Sequence, residues 1–301
     1  MKNRMTSNLL LLLTAIIWGF AFVAQVEGTK HIGSFTMIGI RFLIATVSLL
    51  PVMLIFEKGK REKDEQKLTV KASAITGAVL FFASTFQQIG IQITASAGIS
   101  GFITGLYMIF VPFVSYLVFK NRVKLQVWIG ALFALMGLVM LCYKQGEGFS
   151  FGLGELFLLI GALFWTAHVM LVDHYGKKVR SIHFSCGQFL VSGVLGTICA
   201  LLFEQITLCA IIEAKWSILY CGIFSSGVAY TLQVIGQKKA DPSTAVIIMS
   251  TESAFSAIGG VIFGIDTLSF VGVCGCVLMF AGIICSQLTF NKKEKKGIQT
   301  E

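Results

Sequence analysis

Charged residues are scarce in this chain of 301 residues. Asp, Glu, Lys and Arg make up only 13% of it, whereas about a quarter of the residues in an ordinary soluble domain are charged. Hydrophobic residues make up 55%, and the mean hydropathy is +0.82. This composition excludes an ordinary soluble protein and indicates an integral membrane protein.

Motifs of metal binding and covalent catalysis are also absent. The sequence contains no C-x-x-C and no H-E-x-x-H, and no paired aspartates or Ser/His or Cys/His pairs fall at one depth of its apolar segments. Seven of the eight cysteines lie in or beside those segments and are interpreted as small apolar fillers, while Cys209 lies in a loop. We therefore expect no metal and no cofactor, and an intramembrane enzyme is disfavoured.

Long apolar runs recur along nearly the whole chain. A membrane-spanning helix needs about 20 apolar residues, and its backbone groups must be paired within the segment. The runs predict ten transmembrane helices, at 7–27, 34–56, 70–91, 97–119, 125–144, 154–173, 183–204, 215–236, 243–264 and 269–289. The first run has no small-x-small cleavage site and continues past Trp18, so we interpret it as a retained span rather than a signal peptide.

The basic residues predict the orientation. If the N-terminus is cytoplasmic, the loops outside the cell hold only Lys30, Lys144 and Lys215 among the 24 Lys and Arg, and Arg41 lies within a span. The positive-inside rule then predicts both termini in the cytoplasm of a protein of the plasma membrane. The net charge of +9 is explained by loops that face anionic lipid headgroups, so a nucleic-acid partner is not needed.

An internal repeat divides the chain. A shift of 147 residues places "LLTAIIW" (12–18) on "LIGALFW" (159–165) and "SFTMIGIRFL" (34–43) on "SIHFSCGQFL" (181–190). Shifts of 146 and 145 align "QQIG" (87–90) with "QVIG" (233–236), and Gly130 and Gly137 with Gly275 and Gly282. Each unit holds five spans, and an odd number inverts the second unit in the membrane.

The predicted fold is therefore an all-α integral membrane protein with ten transmembrane helices in two inverted five-helix repeats. Its parts are a first repeat at 1–144, an outer linker at 145–153, a second repeat at 154–289 and a basic cytoplasmic tail at 290–301. Inverted repeats around a site at the bilayer midplane are typical of secondary transporters.

The whole chain resembles the drug/metabolite transporter superfamily, in its ten-helix EamA branch. The resemblance is carried by "IIWGFAF" around Trp18, "GIRFLIA" around Arg41, 95–113, 163–172, 225–253 and 275–284. It implies a small-molecule carrier, commonly an exporter, with a central cavity and no ATPase domain. Where that family has Gly-Glu after the fourth and ninth spans, this chain has "FKNR" (119–122) and "FGID" (263–266). Asp266 is a substitute in the second, and we expect the change to affect loop packing rather than transport.

Glu252 is an acid in the middle of an apolar run. It lies nine residues after Ser243, the first residue past Asp241 and Pro242, which places it ~14 Å into a hydrocarbon core of ~30 Å. An unpaired charge there costs at least ~2.5 kcal/mol. Glu252 is either a neutral structural hydrogen-bonding group, or a substrate contact or proton carrier. The repeat alignment matches it with Leu106, which favours the functional alternative.

Arg41 shows a similar asymmetry, because its counterpart is Gln188. It lies ~10 Å deep in the outer half and could hold an anionic substrate group, pair with Glu252, snorkel or bind a carbonyl end. Trp18 and Trp165 lie at mid-depth, as facing cavity walls or as core packing. A lone histidine is more often a packing residue than a proton relay. The candidate substrate-binding residues are Trp18, Tyr107, Trp165, His168, Tyr230, Gln233 and Glu252.

These observations predict a secondary transporter that moves a small organic metabolite by alternating access, with export as the expected direction. Trp, Tyr and Gln suit amino acid-like substrates, and they suit drug-like compounds and cations as well. The alternatives are an intramembrane enzyme and a channel or scaffold without a carrier cycle. The expected partners are the substrate and the lipid bilayer, and a homodimer is compatible with the sequence.

Overall fold

The computed structural model describes residues 2–59, 62–120, 125–141, 143–144, 148–149, 151–176, 178–237 and 248–287. Helices make up nearly all of this part, and the two-residue strands β1 and β2 pair antiparallel. The elements are α1 Lys2–Thr29, α2 Ser34–Phe56, α3 Lys63–Thr94, α4 Ala97–Gly105, α5 Tyr107–Phe119, α6 Leu125–Leu141, β1 Tyr143–Lys144, β2 Gly148–Phe149, α7 Leu153–Gly176, α8 Ser181–Phe203, α9 Leu208–Glu213, α10 Lys215–Leu219, a π-helical segment Tyr220–Ala229, α11 Tyr230–Gln237, α12 Glu252–Ile262 and α13 Phe270–Gln287.

Six helices of the described chain are long and apolar enough to cross a membrane: Met5–Thr29, Ser34–Phe56, Lys63–Thr94, Ala97–Val114, Leu153–Gly176 and Ser181–Phe203. Shorter apolar helices are Leu125–Leu141, Ile248–Ile262 and Phe270–Cys285. Large apolar side chains on the outside of the bundle are exposed, for example Trp128 at 58% and Val277 at 64%, as contact with lipid requires. The chain is thus a multi-pass membrane protein.

The apolar helices of the described residues lie at predicted spans, with several differences. Tyr143 and Lys144, expected at the end of the fifth span, form β1, and the predicted eighth span contains the π-helical segment. Helix α3 extends beyond the predicted 70–91 at both ends, because its charged first turn, with Asp64 and Glu65, suits a helix N-terminus but interrupts the apolar run. Helix α9 was not predicted, and it begins where the Thr207 hydroxyl accepts a hydrogen bond from Ala210 N–H. The start of the predicted ninth span, including Asp241, Pro242 and Ser243, lies outside the described residues.

The helix contacts repeat when the two halves of the chain are exchanged. Helix α2 packs on α8 and α6 on α13, and each of these pairs joins a helix to its counterpart. Helix α4 also packs on α12. The other contacts form matching sets. Helix α3 packs on α7 and α8, as the π-helical segment and α11 pack on α1 and α2. Helix α5 packs on α7, as α12 packs on α1.

Equivalent residues meet within these pairs. The rings of Phe42 and Phe189, 147 positions apart, are stacked with their centroids 5.6 Å apart and their planes inclined by 13°. Between α6 and α13, a Cβ on Gly137 would lie 2.5 Å from the Gly275 carbonyl oxygen, and a Cβ on Gly282 would lie 2.5 Å from that of Gly130. Glycine at these positions therefore allows the two helix backbones to touch.

Two glutamates cap the helices of the α2–α8 pair reciprocally. The carboxylate of Glu204, which follows α8, accepts hydrogen bonds from Phe35 N–H and Thr36 N–H, both at 2.8 Å, and from the Thr36 hydroxyl at 2.7 Å. Glu57, which follows α2, accepts from Ile182 N–H and His183 N–H, both at 3.0 Å. The His183 ring is 2.6 Å from the same carboxylate. All three pairs of equivalents are 147 residues apart, so α2 and α8 are joined at both ends.

A third acid caps α4. The carboxylate of Asp266 accepts a hydrogen bond from Gly98 N–H at 2.7 Å, and Asp266 also packs against Gly260. This contact joins the turn after α12 to the start of α4, which is a packing role for the acid in "FGID".

The two G-x-x-x-G patterns differ in their use. Gly101 and Gly105 of α4 face Ser256 and Ser253 of α12, and the Ser253 hydroxyl donates to the Gly101 carbonyl at 3.0 Å. In the second pattern Gly260 packs against Asp266, but no described atom lies within 4 Å of a Cβ placed on Gly264, so the close packing typical of this spacing is absent there. Gly264 has φ +68°, and this left-handed conformation ends the helix.

We expect Glu57→Gln and Glu204→Gln each to lower the free energy of unfolding by about 0.5–2 kcal/mol, the usual effect of losing a helix N-terminal cap. The two losses should add, because the 23 residues of α2 separate the sites by ~34 Å. Thermal unfolding of the detergent-solubilised protein measures both. Glu62→Gln is the control, since the Glu62 side chain makes no capping bond to α3.

The Glu57 cap should also make stability depend on pH. Burial raises the pKa of Glu57, but hydrogen bonds from Ile182 N–H and from the His183 side chain and N–H outweigh it, so the pKa lies below its usual value. A lowered pKa stabilises the folded state above the ordinary value of about 4.3, and this stabilisation is lost as pH falls through the lowered pKa. The melting temperatures of wild type and Glu57→Gln should therefore converge under acid conditions and differ at neutral pH. A constant difference would contradict the cap.

Candidate functional site

Two helices are interrupted at positions 145 residues apart. Leu106 separates α4 from α5, and its N–H donates to the Ile103 carbonyl at 3.2 Å. Thr251 precedes α12, and its N–H donates to the Ile248 carbonyl at 3.1 Å. After each tight turn the helix begins again, at Tyr107 and at Glu252. Pro112 lies inside α5, so the break at Leu106 is not at the proline.

Glu252 is buried, with 4% of its surface exposed. It is the first residue of α12, where the helix dipole favours a negative charge, and it lies ten residues, ~15 Å, before Ile262. Within the described residues its carboxylate has no hydrogen-bond or ion-pair partner. Its backbone carbonyl lies against Gly19 of α1, the neighbour of Trp18, and it is within electrostatic range of Tyr107 and Tyr230. A buried acid in this position can bind a cationic group or a proton.

Trp18 closes one side of this group. Its indole N–H donates to the Ser225 carbonyl at 2.9 Å, and its ring contacts Tyr230 edge-on with 5.1 Å between centroids. Ser225 lies in the π-helical segment Tyr220–Ala229, and π-helical insertions within α-helices are frequent at functional sites. Trp18, Tyr107 and Tyr230 are each half-buried, although all three belong to the interior packing of the bundle.

Trp165, the counterpart of Trp18, has a different environment. Its indole nitrogen is buried and has no hydrogen-bond partner among the described residues. On the side of the bundle where Trp165 lies, the helix equivalent to the π-helical segment is α3, which is α-helical from Lys63 to Thr94. The Trp165 ring packs edge-on against His168, with 5.4 Å between centroids, and against the cluster around Phe42 and Phe189.

His168 is tied to α8. It is 3% exposed, and its Nε2 is 2.8 Å from the Gln188 side-chain oxygen, so Nε2 carries the proton and donates. Gln188 is the counterpart of Arg41. The contact favours a packing role for His168 and leaves it outside the group around Glu252.

Arg41 is 6% exposed and does not snorkel. One terminal nitrogen, Nη1, donates to the Gln25 side-chain oxygen at 2.6 Å, and the guanidinium lies 4.8 Å from the centre of the Phe42 ring. The Nε atom is buried without a partner, and Arg41 forms no ion pair within the described chain. Arg41 and Glu252 therefore do not pair, but Tyr230 interacts electrostatically with both.

The remaining polar candidates lie around this group. The Gln233 side-chain nitrogen is 4.0 Å from the sulfur of Met249, three residues before Glu252. Gln88 of α3 is not among the candidates from the sequence. It is fully buried, and within the described residues both of its amide atoms are unpaired, as is the hydroxyl of Ser84 one turn earlier. The spacing i, i+4 of two polar residues in an apolar helix was the signal available for this pair.

The structure thus brings Trp18, Tyr107, Tyr230 and Glu252 together and places Arg41 beside them. Two apolar grooves lie on the surface. One of about 250 Å³ is lined by Met5, Asn8, Leu9, Leu12, Ile248 and Thr251. Another of about 390 Å³, between α12 and α13, includes Phe102, Ala257, Ile258, Val261, Leu268 and Phe280. Glu252 lines neither of these two grooves.

Comparison with known proteins gives a consistent result. The sequence model of the EamA-like transporter family matches residues 5–143 and 152–287. An uncharacterized transporter of Archaeoglobus fulgidus is 28% identical over 95% of this chain and 87% of that protein. The uncharacterized transporter YoaV of Bacillus subtilis is 22% identical over 93% of this chain and 96% of its own length. A protein of known crystal structure superposes with a TM-score of 0.69 at 19% identity, over 93% of this chain and 96% of that one, which shows a shared fold.

The two equivalent tryptophans allow a matched test of the Trp18 hydrogen bond. Trp18→Phe and Trp165→Phe remove the same atoms, but only Trp18 donates to a carbonyl. We expect Trp18→Phe to be the more destabilising by about 0.5–1.5 kcal/mol, because Trp165→Phe also removes an unpaired buried N–H. Thermal unfolding in detergent measures the difference. Equal losses would show that the bond to Ser225 contributes little.

Proposed function

This chain belongs to the EamA-like transporter family, and we propose that it is a secondary transporter that exports a small organic metabolite, amino acid-like or drug-like, by alternating access. The observation that carries the proposal is the group of Trp18, Tyr107, Tyr230 and Glu252, in which Tyr107 and Glu252 begin the helices that follow two equivalent interruptions. Discontinuous helices that meet near the bilayer midplane are the usual binding-site architecture of secondary transporters.

The helix contacts support ten spans in two inverted repeats. Each set of contacts has a matching set in which the two halves are exchanged, as a two-fold axis in the membrane plane requires. The reciprocal caps by Glu57 and Glu204 follow the same exchange. With the excess of Lys and Arg in alternate loops, this arrangement supports cytoplasmic termini and a location in the plasma membrane.

The contacts also suggest which parts move. Helices α2 and α8 are joined by carboxylate caps at both ends and by the Phe42–Phe189 stack, so they form a fixed frame. Helices α4 and α12 meet through Gly101, Gly105, Ser253 and Ser256. Small residues offer a smooth contact along which helices can shift, so α4 and α12 carry the interruptions and the conformational change.

A carrier accounts for these features better than the alternatives. The names of the relatives, and the family, favour transport over intramembrane catalysis. The described residues contain no group of three or more His, Cys, Asp or Glu that could hold a metal. A channel remains to be distinguished by kinetics, because a carrier saturates and exchanges its substrate whereas a pore conducts.

The transport test uses purified protein in liposomes. We expect uptake of at least one compound from a panel of amino acids, aromatic metabolites and organic cations, with saturation and with counterflow that requires unlabelled compound on the opposite side. Empty liposomes are the control for leakage. Folded protein that neither binds nor moves any compound of the panel would overturn the carrier, and flux without counterflow would indicate a pore.

Glu252 is further proposed as a proton carrier in the cycle. Its carboxylate interacts with the titratable groups of Tyr107 on α5 and Tyr230 on α11, and Tyr230 also interacts with Arg41 of α2. We expect Glu252→Gln to abolish the dependence of transport on an imposed pH gradient while counterflow persists. Asp266→Asn is the matched control, because Asp266 is a buried acid that caps α4. Full pH dependence in Glu252→Gln would reduce Glu252 to a structural role.

A further inference from the structure

Three helices pack closely between Glu252 and the outer end of the bundle. Helix α12 runs from Glu252 to Ile262 over ~15 Å, and it contacts both α1 and α4. A Cβ on Gly19 of α1 would lie 2.8 Å from the Glu252 carbonyl oxygen, and a Cβ on Gly101 of α4 would overlap the Ser256 side chain. The small residues thus allow the helix backbones to touch. In the proposed orientation these contacts close the outer side of the candidate site.

A hydroxyl and a carboxylate bind the backbone of α4 along this contact. The Ser253 hydroxyl donates to the Gly101 carbonyl at 3.0 Å. At the outer end the Asp266 carboxylate accepts from Gly98 N–H at 2.7 Å, which is one of the free N–H groups at the start of α4. A side chain on Gly260 of α12 would occupy the position of this carboxylate. Asp266 is therefore held between α12 and α4 and joins them at their outer ends.

The turn that carries Asp266 is fixed to α12. The N–H groups of Ile265 and Asp266 both donate to the Gly260 carbonyl, at 2.8 and 3.0 Å. Gly264 adopts a left-handed conformation within this turn, as is common after the last residue of a helix. Any movement of α12 therefore carries Asp266 with it, and α12 cannot separate from α4 without breaking the bond to Gly98.

The sequence of the equivalent contact on the cytoplasmic side is different. The two helix interruptions are related by a shift of 145 residues. The same shift relates the α4–α12 contact to one between α5 and residues 243–250, of which 243–247 lie outside the described residues. The equivalents of Gly101, Ser253, Ser256 and Asp266 are Val246, Met108, Val111 and Asn121.

These equivalents favour closure of the outer side over closure of the cytoplasmic side. Three of them are larger than the residues of the outer contact, and larger side chains keep helix backbones further apart. The fourth replaces a carboxylate by a neutral amide. A carboxylate forms stronger hydrogen bonds to backbone N–H groups than a neutral acceptor, and the helix dipole favours its charge at a helix N-terminus.

We propose that α1, α4 and α12 form the outer gate of the carrier, and that Asp266 is the latch that holds this gate shut when no substrate is bound. The proposal rests on the proposed transport function. It also goes beyond the loop packing that the sequence predicts for "FGID". Asp266 lies fourteen residues after Glu252, so it acts by positioning α4 and not by contact with a substrate. A resting state closed to the outside suits export, because an exporter binds its substrate from the cytoplasm.

The first test measures how fast a buried cysteine reacts from outside the cell. Ser253→Cys is introduced into a Cys209→Ser background, which lacks the exposed thiol of α9, and intact cells are treated with a membrane-impermeant maleimide. The background protein without Ser253→Cys is the blank. We expect slow labelling while Asp266 is present and at least tenfold faster labelling in Asp266→Ala, because α4 and α12 then separate more often. Asp266→Asn keeps an oxygen acceptor and should give an intermediate rate.

Two further variants make the test specific. Glu204→Ala is the matched control, because Glu204 is a carboxylate cap at the same end of the bundle but binds α2 of the fixed frame. It should lower stability without changing the labelling rate. Gly101→Val copies the equivalent residue Val246, and its side chain would overlap Ser256. It should speed labelling even with Asp266 intact, and it opens the gate by a second route if Asp266→Ala does not fold.

Three labelling results would overturn the proposal. Fast labelling with Asp266 intact would show that the outer side is open at rest. Equally slow labelling in Asp266→Ala and Gly101→Val would show that the contact is not a gate. Equal acceleration by Glu204→Ala and Asp266→Ala would show that loss of any cap loosens the bundle and that Asp266 has no special role.

A disulfide across the same contact tests the gate by locking it. A Cβ on Gly98 would lie 3.5 Å from the Cβ of Ala257, within the range of about 3.5–4.5 Å that disulfides require. Gly98→Cys combined with Ala257→Cys should form the bond on oxidation, stop transport in liposomes and recover transport on reduction. Each single cysteine variant is the control. A disulfide that forms and leaves transport unchanged would overturn the gate.

The labelling experiment separates this proposal from the transport function, because it needs no substrate. If no compound of the panel is moved but the labelling rate depends on Asp266 as expected, the transport function fails and the latch stands. If a compound is moved but the labelling rate does not depend on Asp266, only the latch is overturned.

Discussion

The structure depends on one constraint of the bilayer, which is that backbone N–H and C=O groups released at helix ends and breaks need partners inside the protein. Three carboxylates meet this need, because Glu57, Glu204 and Asp266 each accept from the free N–H groups of a helix in the opposite half. The ends of the helices and the contacts between the halves are therefore set by the same bonds. The breaks at Leu106 and Thr251 therefore lie in a bundle whose α2–α8 pair is joined at both ends.

The two halves differ most where the candidate site lies. Tyr230 stands where the 146-residue shift places Ser84, and the π-helical segment before it corresponds to regular α-helix in α3. As a result Trp18 finds a carbonyl for its N–H, whereas Trp165 does not. The two halves form two similar sides of the candidate site. The residues that differ between the halves give one side polar groups that the other side lacks. The unpaired polar atoms of Ser84, Gln88 and Trp165 leave the other wall with neutral hydrogen-bonding capacity.

Much of the fold could be predicted from the sequence because apolar length and the 147-residue offset are properties of the chain itself. Trp18 and Glu252 could be identified as candidates for the same reason, since each is out of place at its depth. The interruptions at Leu106 and Thr251, the π-helical segment and the capping roles of Glu57 and Glu204 could not. These features depend on which backbone groups of a distant segment of the chain pack against each of these positions in the fold. Gly264 is the opposite case. Its spacing from Gly260 is typical of helix packing, but its positive φ shows that it ends a helix.

The Phe42–Phe189 stack places each ring against its own equivalent, so the contact is isologous, like the interface of a symmetric homodimer. A contact of this type is as favourable between two separate five-helix chains inserted in opposite senses as it is within one polypeptide. Covalent fusion of the halves then contributes no new stacking energy. It fixes the stoichiometry and guarantees one copy of each orientation, which frees each half to accumulate changes that a true dimer would have to display twice.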